Sequence, residues 1–267
     1  MLTRSLDKAR EAYRAGDKKA SIAAHKIIAS AKGKFAKEQH KKGGEYVKSA
    51  VYGGLDGTIT TFAIVAGVTG AALSSGVILI LGFANLVGDG ISMAIGDYLS
   101  TKSEQEYHRA ERKREQWEAD NYPEGEKMEL IGIYESKGIP KPDARRMVDI
   151  ISRNRKAWID IMMVEELGIL ESGGSPLKNA LVTFCSFCLF GLVPVLAYVL
   201  LSFLPFIKPV AFGVASLLTA FTLFFLGAIK TRFTGRNWLL SGSEMLIVGG
   251  LAAGAAYLIG VLLGGLA

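Results

Sequence analysis

Asn85, Asp89, Met93 and Asp97 recur every four residues in an otherwise apolar stretch, GFANLVGDGISMAIGDYLS. On a helix, residues four apart share a face, so these four form a stripe of amide, carboxylate and thioether groups. A second apolar stretch, LDGTITTFAIVAGVTGAAL, carries Asp56, with Thr60 one turn along on the same face. An ionised side chain near a bilayer centre costs on the order of 2.5–3.5 kcal/mol or more, so it needs a compensating role. Carboxylate beside thioether suits Fe²⁺ or Mn²⁺ better than Na⁺ or Ca²⁺, which take oxygen alone. A lone Met93 would otherwise be simple packing. Asp97, near the end of its stretch, reads equally well as a helix cap or a headgroup-level residue.

A charged segment between apolar stretches adds more carboxylates. Glu111, Glu115 and Glu118 fall at i, i+4 and i+7; Glu126 and Glu129 are three apart; Glu165 and Glu166 follow Met162 and Met163. Acidic residues at such spacings on several helices are how helical bundles assemble carboxylate metal sites. The commoner reading is a solvated charged face, with Lys113 and Arg114 making ordinary ion pairs. The neighbouring membrane carboxylates favour metal.

These residues need elements to hold them. Half of the 267 residues are hydrophobic, and the mean hydropathy is +0.29. A bilayer core of about 30 Å takes about 20 apolar residues of helix. Five stretches qualify, 50–73, 77–100, 177–204, 210–229 and 245–266. The expected fold is all-α, a polytopic membrane protein with five transmembrane helices and a cytoplasmic helical metal-binding domain inserted between helices 2 and 3. The expected organisation is a cytoplasmic N-terminal helical segment (1–46), transmembrane helices 1–2 (47–100), the metal-binding insert (101–174) and transmembrane helices 3–5 (175–267). No apolar signal region precedes Lys48.

Charge position orients the chain. Lys34, Lys37, Lys41, Lys42 and Lys48 precede the first span, and Lys230, Arg232 and Arg236 follow the fourth. Excess Lys and Arg stay cytoplasmic, which puts the N-terminus and the insert inside. This makes a nucleic-acid reading of the net charge of +6 unnecessary. His25 and His40 read as exposed single histidines. Cys185 and Cys188 have CxxC spacing, but inside a span with no nearby His they read as helix-packing residues. Gly53/Gly57, Ala66/Gly70, Gly88/Ser92/Gly96, Gly250/Gly254 and Gly260/Gly264 have the small-xxx-small spacing that lets helices approach. Packing within the bundle and across a dimer both fit.

Within the insert, the second span continues as a charged helix to Asn121-Tyr122-Pro123. A helix follows over 124–136, another starts near Pro142, and a last one over KAWIDIMMVEELGIL leads to the third span.

VYGGLDGTITTFAIVAGVTGA, followed by GFANLVGDGISMAIGDYLSTKSEQEY and then by KREQWE and AWIDIMMVEELGI, resembles the vacuolar iron transporter family (the VIT/CCC1 group) from about Gly44 onward. The resemblance implies a homodimer exporting cytosolic Fe²⁺, and often Mn²⁺, in exchange for protons. It matches a pore aspartate to Asp56, a pore methionine to Met93 and an acidic residue before span one to Glu45. It matches paired glutamates to Glu115 and Glu118, and to Glu126 and Glu129, and a last helix through Met162 and Glu166, with Glu165 a substitute ligand. The chain departs where plant-like members carry glutamate, having Asn85 there and Asp89 one turn later.

The expected function is proton-coupled export of divalent metal by alternating access, with no enzymatic activity, and with Zn²⁺ and Co²⁺ as further ions for the insert. The rivals are a membrane-anchored carboxylate protein that oxidises or stores iron, and a metal sensor. The expected partners are a second copy, lipid, divalent ions and protons. With no plant-type or targeting extension, the expected location is a prokaryotic cell membrane, or a vacuolar membrane in a eukaryote.

Overall fold

The computed structural model describes residues 11, 13, 15–20, 44–170, 174–201, 203, 210–234 and 236–266, and among them every regular element is helical. They are α1 (Gly44–Gly70), α2 (Ser75–Asn121), α3 (Pro123–Ser136), α4 (Lys141–Ile151), α5 (Arg155–Glu165), α6 (Pro176–Leu201), α7 (Ala211–Thr234) and α8 (Trp238–Leu263), the last closing on a 3₁₀ turn, Gly264–Leu266. Five of them (α1, α2, α6, α7 and α8) are long and apolar enough to cross a bilayer. The expected helices before residue 40, His25 and His40 lie outside the described residues, apart from short exposed pieces between 11 and 20.

Three of the boundaries that shift do so for a local reason. α1 stops at Gly70 because Ala72 takes φ 55, with Ala72 N–H on Thr69 O at 3.0 Å and Leu73 N–H on Val68 O at 3.1 Å. This is a left-handed helix C-cap. α8 starts at Trp238 rather than 245, since the Asn237 side chain accepts the Leu239 N–H at 2.9 Å and caps it. The helix over 156–170 ends at Glu165, where Gly168 (φ 65) turns the chain and Ile169 N–H returns to Met163 O at 2.8 Å.

Residue 101 marks no structural break. α2 runs through it for 47 residues, about 70 Å at 1.5 Å per residue. It stops where Pro123 takes the first turn of α3.

α1 packs against α6, α8, α2 and α7 and is the centre of the bundle. Glycine makes that possible. A Cβ at Gly53 or Gly57 would overlap the α6 backbone at Thr183 or Phe187, and one at Gly260 would overlap the α1 backbone at Gly67. Gly88, Gly96, Gly250 and Gly254 meet nothing within 4 Å. The small-residue spacing thus divides: one part closes the bundle and the other faces outward. Several hydroxyls inside the spans bond back to their own helix, as Thr58 does to Gly54 O at 2.7 Å. Cys188 Sγ lies 3.6 Å from Leu86 O, which fits packing, whereas Cys185 is exposed; both are free thiols.

α1, α6 and α8 run parallel, with α2 and α7 antiparallel to them, so the start of α1 and the whole insert lie at one end of the bundle. In the insert, Leu130, Tyr134, Ala144, Val148, Trp158 and Met162 bury one core between α3, α4 and α5. Ile159, Met163 and Ile169 bury a smaller one beside it.

Candidate metal path and metal centre

A four-residue step overshoots a 3.6-residue turn by about 40°, so a stripe at that spacing slants around its helix. The slant separates the four residues of α2. Asn85 turns to α1 and donates from Nδ2 to Thr60 Oγ1 at 3.2 Å and Thr61 Oγ1 at 3.1 Å. Asp97 accepts from Ser49 Oγ on α1 at 2.9 Å and from Thr183 Oγ1 on α6. It is therefore a tie between three helices rather than a cap. Between them, the carboxylates of Asp56 and Asp89 lie within each other's electrostatic reach. Asp56 is half-buried, whereas Asp89 stands exposed on the face of α2 that carries Gly88 and Gly96. Met93 and Asp97 line a cavity of about 540 Å³ at the insert end of the bundle, together with Lys48, Ser49, Tyr52 and Glu104. The backbone of Glu45 opens α1, and its side chain lies outside the described residues.

Beyond the cavity, α2 carries the insert's first carboxylates, and α3 and the end of α5 add the rest. Oxygens of Glu115, Glu118 and Glu126 lie within 4.8 Å of one another, as do those of Glu126, Glu129 and Glu166. Glu126 belongs to both groups. Glu115 is 1% exposed and Glu126 5%. Both Glu115 oxygens and Glu126 Oε2 are buried without a hydrogen bond. The Arg114 guanidinium stands 2.9 Å from Glu115 Oε1, outside hydrogen-bond alignment.

A buried carboxylate without donors is costly, and lone pairs that no N–H or O–H satisfies are what a cation can use. Burial, reinforced by Glu166 and Glu126, pushes Glu115 up to about 7. Burial, reinforced by Glu129 and Glu166, pushes Glu126 up to about 7. Glu166 is raised by burial and by Glu129. The oxygens fit a hard or borderline divalent ion.

The remaining expected ligands stand apart from these two groups. Glu111 pairs with Arg114 at 3.0 Å. Glu165 pairs with Lys137 across the end of α5, so its neighbour Glu166 joins the carboxylates in its place. Met162 and Met163 are buried in the two apolar clusters.

The model for the VIT family matches residues 47–261, from the first span through the insert to the fifth. The chain belongs to the VIT family. The vacuolar iron transporter of Toxoplasma gondii is 41% identical over 97% of this chain and 89% of its own length. That of Plasmodium berghei is 37% identical over 96% and 95%. Vacuolar iron transporter 1 of Arabidopsis thaliana is 36% identical over 82% and 87%. The VIT-family match includes every residue of the carboxylate groups and the path, and excludes Glu45.

Ser49, Thr61 and Thr183 are the polar partners that spacing alone did not single out. Ser49 had a signal, since it lies seven residues before Asp56 on the same face of α1. Thr183 had none, because only the parallel packing of α6 on α1 brings it to Asp97.

Proposed function

We propose that this VIT-family chain exports Fe²⁺, and with it Mn²⁺, from the cytosol in exchange for protons. The observation that carries the reading is the pair Asp56 and Asp89 inside the spans, with Met93 one turn along, in a chain whose relatives are named vacuolar iron transporters. The insert, residues 101–174, captures metal on its glutamates; Asp56, Asp89 and Met93 pass it across by alternating access. A carboxylate oxygen cannot hold a proton and a metal ion at once, so metal entry expels protons and proton entry expels metal. Lys48, Lys230 and Arg236 flank the spans at the insert end, which supports a cytoplasmic insert.

Asp89 supports a homodimer. On a single chain it faces outward near mid-span, where lipid would meet a carboxylate. A second copy laid along Gly88 and Gly96 covers it and makes use of the open space beside those glycines.

The test is uptake into proteoliposomes of Fe²⁺, Mn²⁺, Co²⁺ and Zn²⁺, with and without a pH gradient. Asp56→Ala is expected to abolish metal-driven proton flux; transport at the normal rate by that variant sinks the pore reading. The sharing of Glu126 by two carboxylate groups favours a second reading, an iron store or oxidase bridging two ions. Iron supplied to the full chain under oxygen without oxygen consumption or retained Fe³⁺ rejects it.

A further inference from the structure

We infer that Arg114 is an affinity-limiting counter-cation, which competes with the divalent ion for the insert's carboxylates and makes the insert a relay that releases metal. This rests on reading the carboxylate groups as a metal site. Three nitrogens of one guanidinium meet three carboxylates: Nε lies 3.0 Å from Glu111 Oε2, Nη1 2.7 Å from Glu118 Oε2 and Nη2 2.9 Å from Glu115 Oε1. Glu115 and Glu118 are two of the three members of one candidate metal group.

Ordinary i, i+3 and i, i+4 pairing accounts for Glu111 and Glu118. It does not account for Glu115, whose side chain is 1% exposed and whose oxygens accept no hydrogen bond. Three other cations of the insert behave differently. Lys127, Lys137 and Arg155 pair with Glu124, Glu165 and Asp120, acids outside both groups. Arg114 alone among these four is aimed at the cluster, and its attraction extends to Glu126 and Glu166 as well.

A guanidinium stays protonated at any physiological pH, so this positive charge is permanent. Held beside the same carboxylates, it repels an incoming divalent ion and occupies a lone pair of Glu118 that the ion needs, while leaving the Glu115 oxygens without a hydrogen bond. Both effects lower affinity and speed release. A cluster of buried carboxylates without such a cation would bind tightly and empty slowly, as a store does. A transporter needs a donor site that lets go.

The experiment titrates Mn²⁺ into the purified full chain in detergent, reading free Mn²⁺ by electron paramagnetic resonance and release by stopped-flow mixing with a chelator. Arg114→Gln and Arg114→Met are two neutral variants, so that one suffices if the other folds poorly by circular dichroism. Either is expected to bind Mn²⁺ about tenfold more tightly and release it correspondingly more slowly, the scale of one unit charge removed a few ångströms from a divalent ion in a partly screened site. Arg114→Lys, which keeps the charge, is expected to stay within about threefold of the parent chain. A folded neutral variant that binds Mn²⁺ equally or less tightly overturns the inference and makes Arg114 a group that positions the carboxylates. Glu126→Gln separates the two readings: if it binds Mn²⁺ as the parent chain does, the metal site itself is misread and the inference falls with it.

Discussion

Ser49 Oγ on α1 donates to Asp97 Oδ2 on α2 at 2.9 Å, and Thr183 on α6 donates to the same oxygen. One carboxylate thus ties together three spans where the cavity opens. Thr183 is fully buried, so Thr183→Val removes a donor that water cannot replace. It is expected to cost about 2 kcal/mol, the range of a hydrogen bond at a carboxylate, and Ser49→Ala about 1 kcal/mol. Thermal unfolding of the purified protein in detergent reads both. Equal stability of Thr183→Val and the parent chain contradicts the tie.

Glu165 and Glu166 are neighbours with different roles. Glu165 is taken by Lys137, while Glu166 lies in a carboxylate group with Glu126 and Glu129. Glu166→Gln is expected to weaken Mn²⁺ binding about tenfold or more, since even the outer-shell partners of metal ligands are worth about 10–100-fold, and Glu165→Gln less than threefold. Calorimetric titration of the full chain decides, and the reverse ranking rejects the assignment.

Protons are expected to compete with metal at the insert. Glu115 and Glu126 are ordinarily near 4.5 and are raised to about 7 by burial and by their acidic neighbours. Below about 7 they hold protons and resist metal, so Mn²⁺ affinity is expected to fall steeply from pH 8 to pH 6. Stability of the metal-free chain runs the opposite way. Between 4.5 and about 7 the folded chain holds protons that the unfolded chain has lost. Stability therefore falls as pH rises through that window and is lowest above it. Mn²⁺ added at pH 8 is expected to raise Tm more than at pH 5.5; an equal rise at both rejects the coupling.

Gly57 and Gly88 separate fold from assembly. A Cβ at Gly57 would overlap the α6 backbone, whereas Gly88 has open space within the chain. Gly57→Ala is expected to cost about 1–3 kcal/mol by overpacking. Gly88→Leu is expected to leave the monomer's helicity intact and reduce the dimer fraction, read by light scattering in detergent. A Gly88→Leu chain as dimeric as the parent removes α2 from the proposed interface.

Element existence was plain in the sequence, because apolar runs of bilayer length and Pro123 leave little choice. Element ends were not. Ala72 gives no sign of its left-handed backbone, and Gly168 stops α5 in a run that otherwise reads as helix. The glutamates were legible as a set from their helical spacing. Which of them converge was not, since the choice of Glu166 over Glu165 depends on Lys137, a residue of the α3–α4 turn. Asp97 was open to two readings, and its true partners come from helices far away in sequence, beyond the reach of any local pattern.

The absence of a break along α2 has a mechanical consequence. From Gly90, amid the spans, to Asn121 the helix is continuous over 31 residue steps, about 46 Å of stiff rod. A tilt of about 10° at the Gly90 level would swing the far tip by about 8 Å, with no hinge to absorb it. Glu115 and Glu118 of the insert and Asp89 and Asp97 of the span sit on one lever. In the proposed alternating access, rocking would then move the collecting cup together with Asp89 and Met93, and a load on the cup would lean on the span.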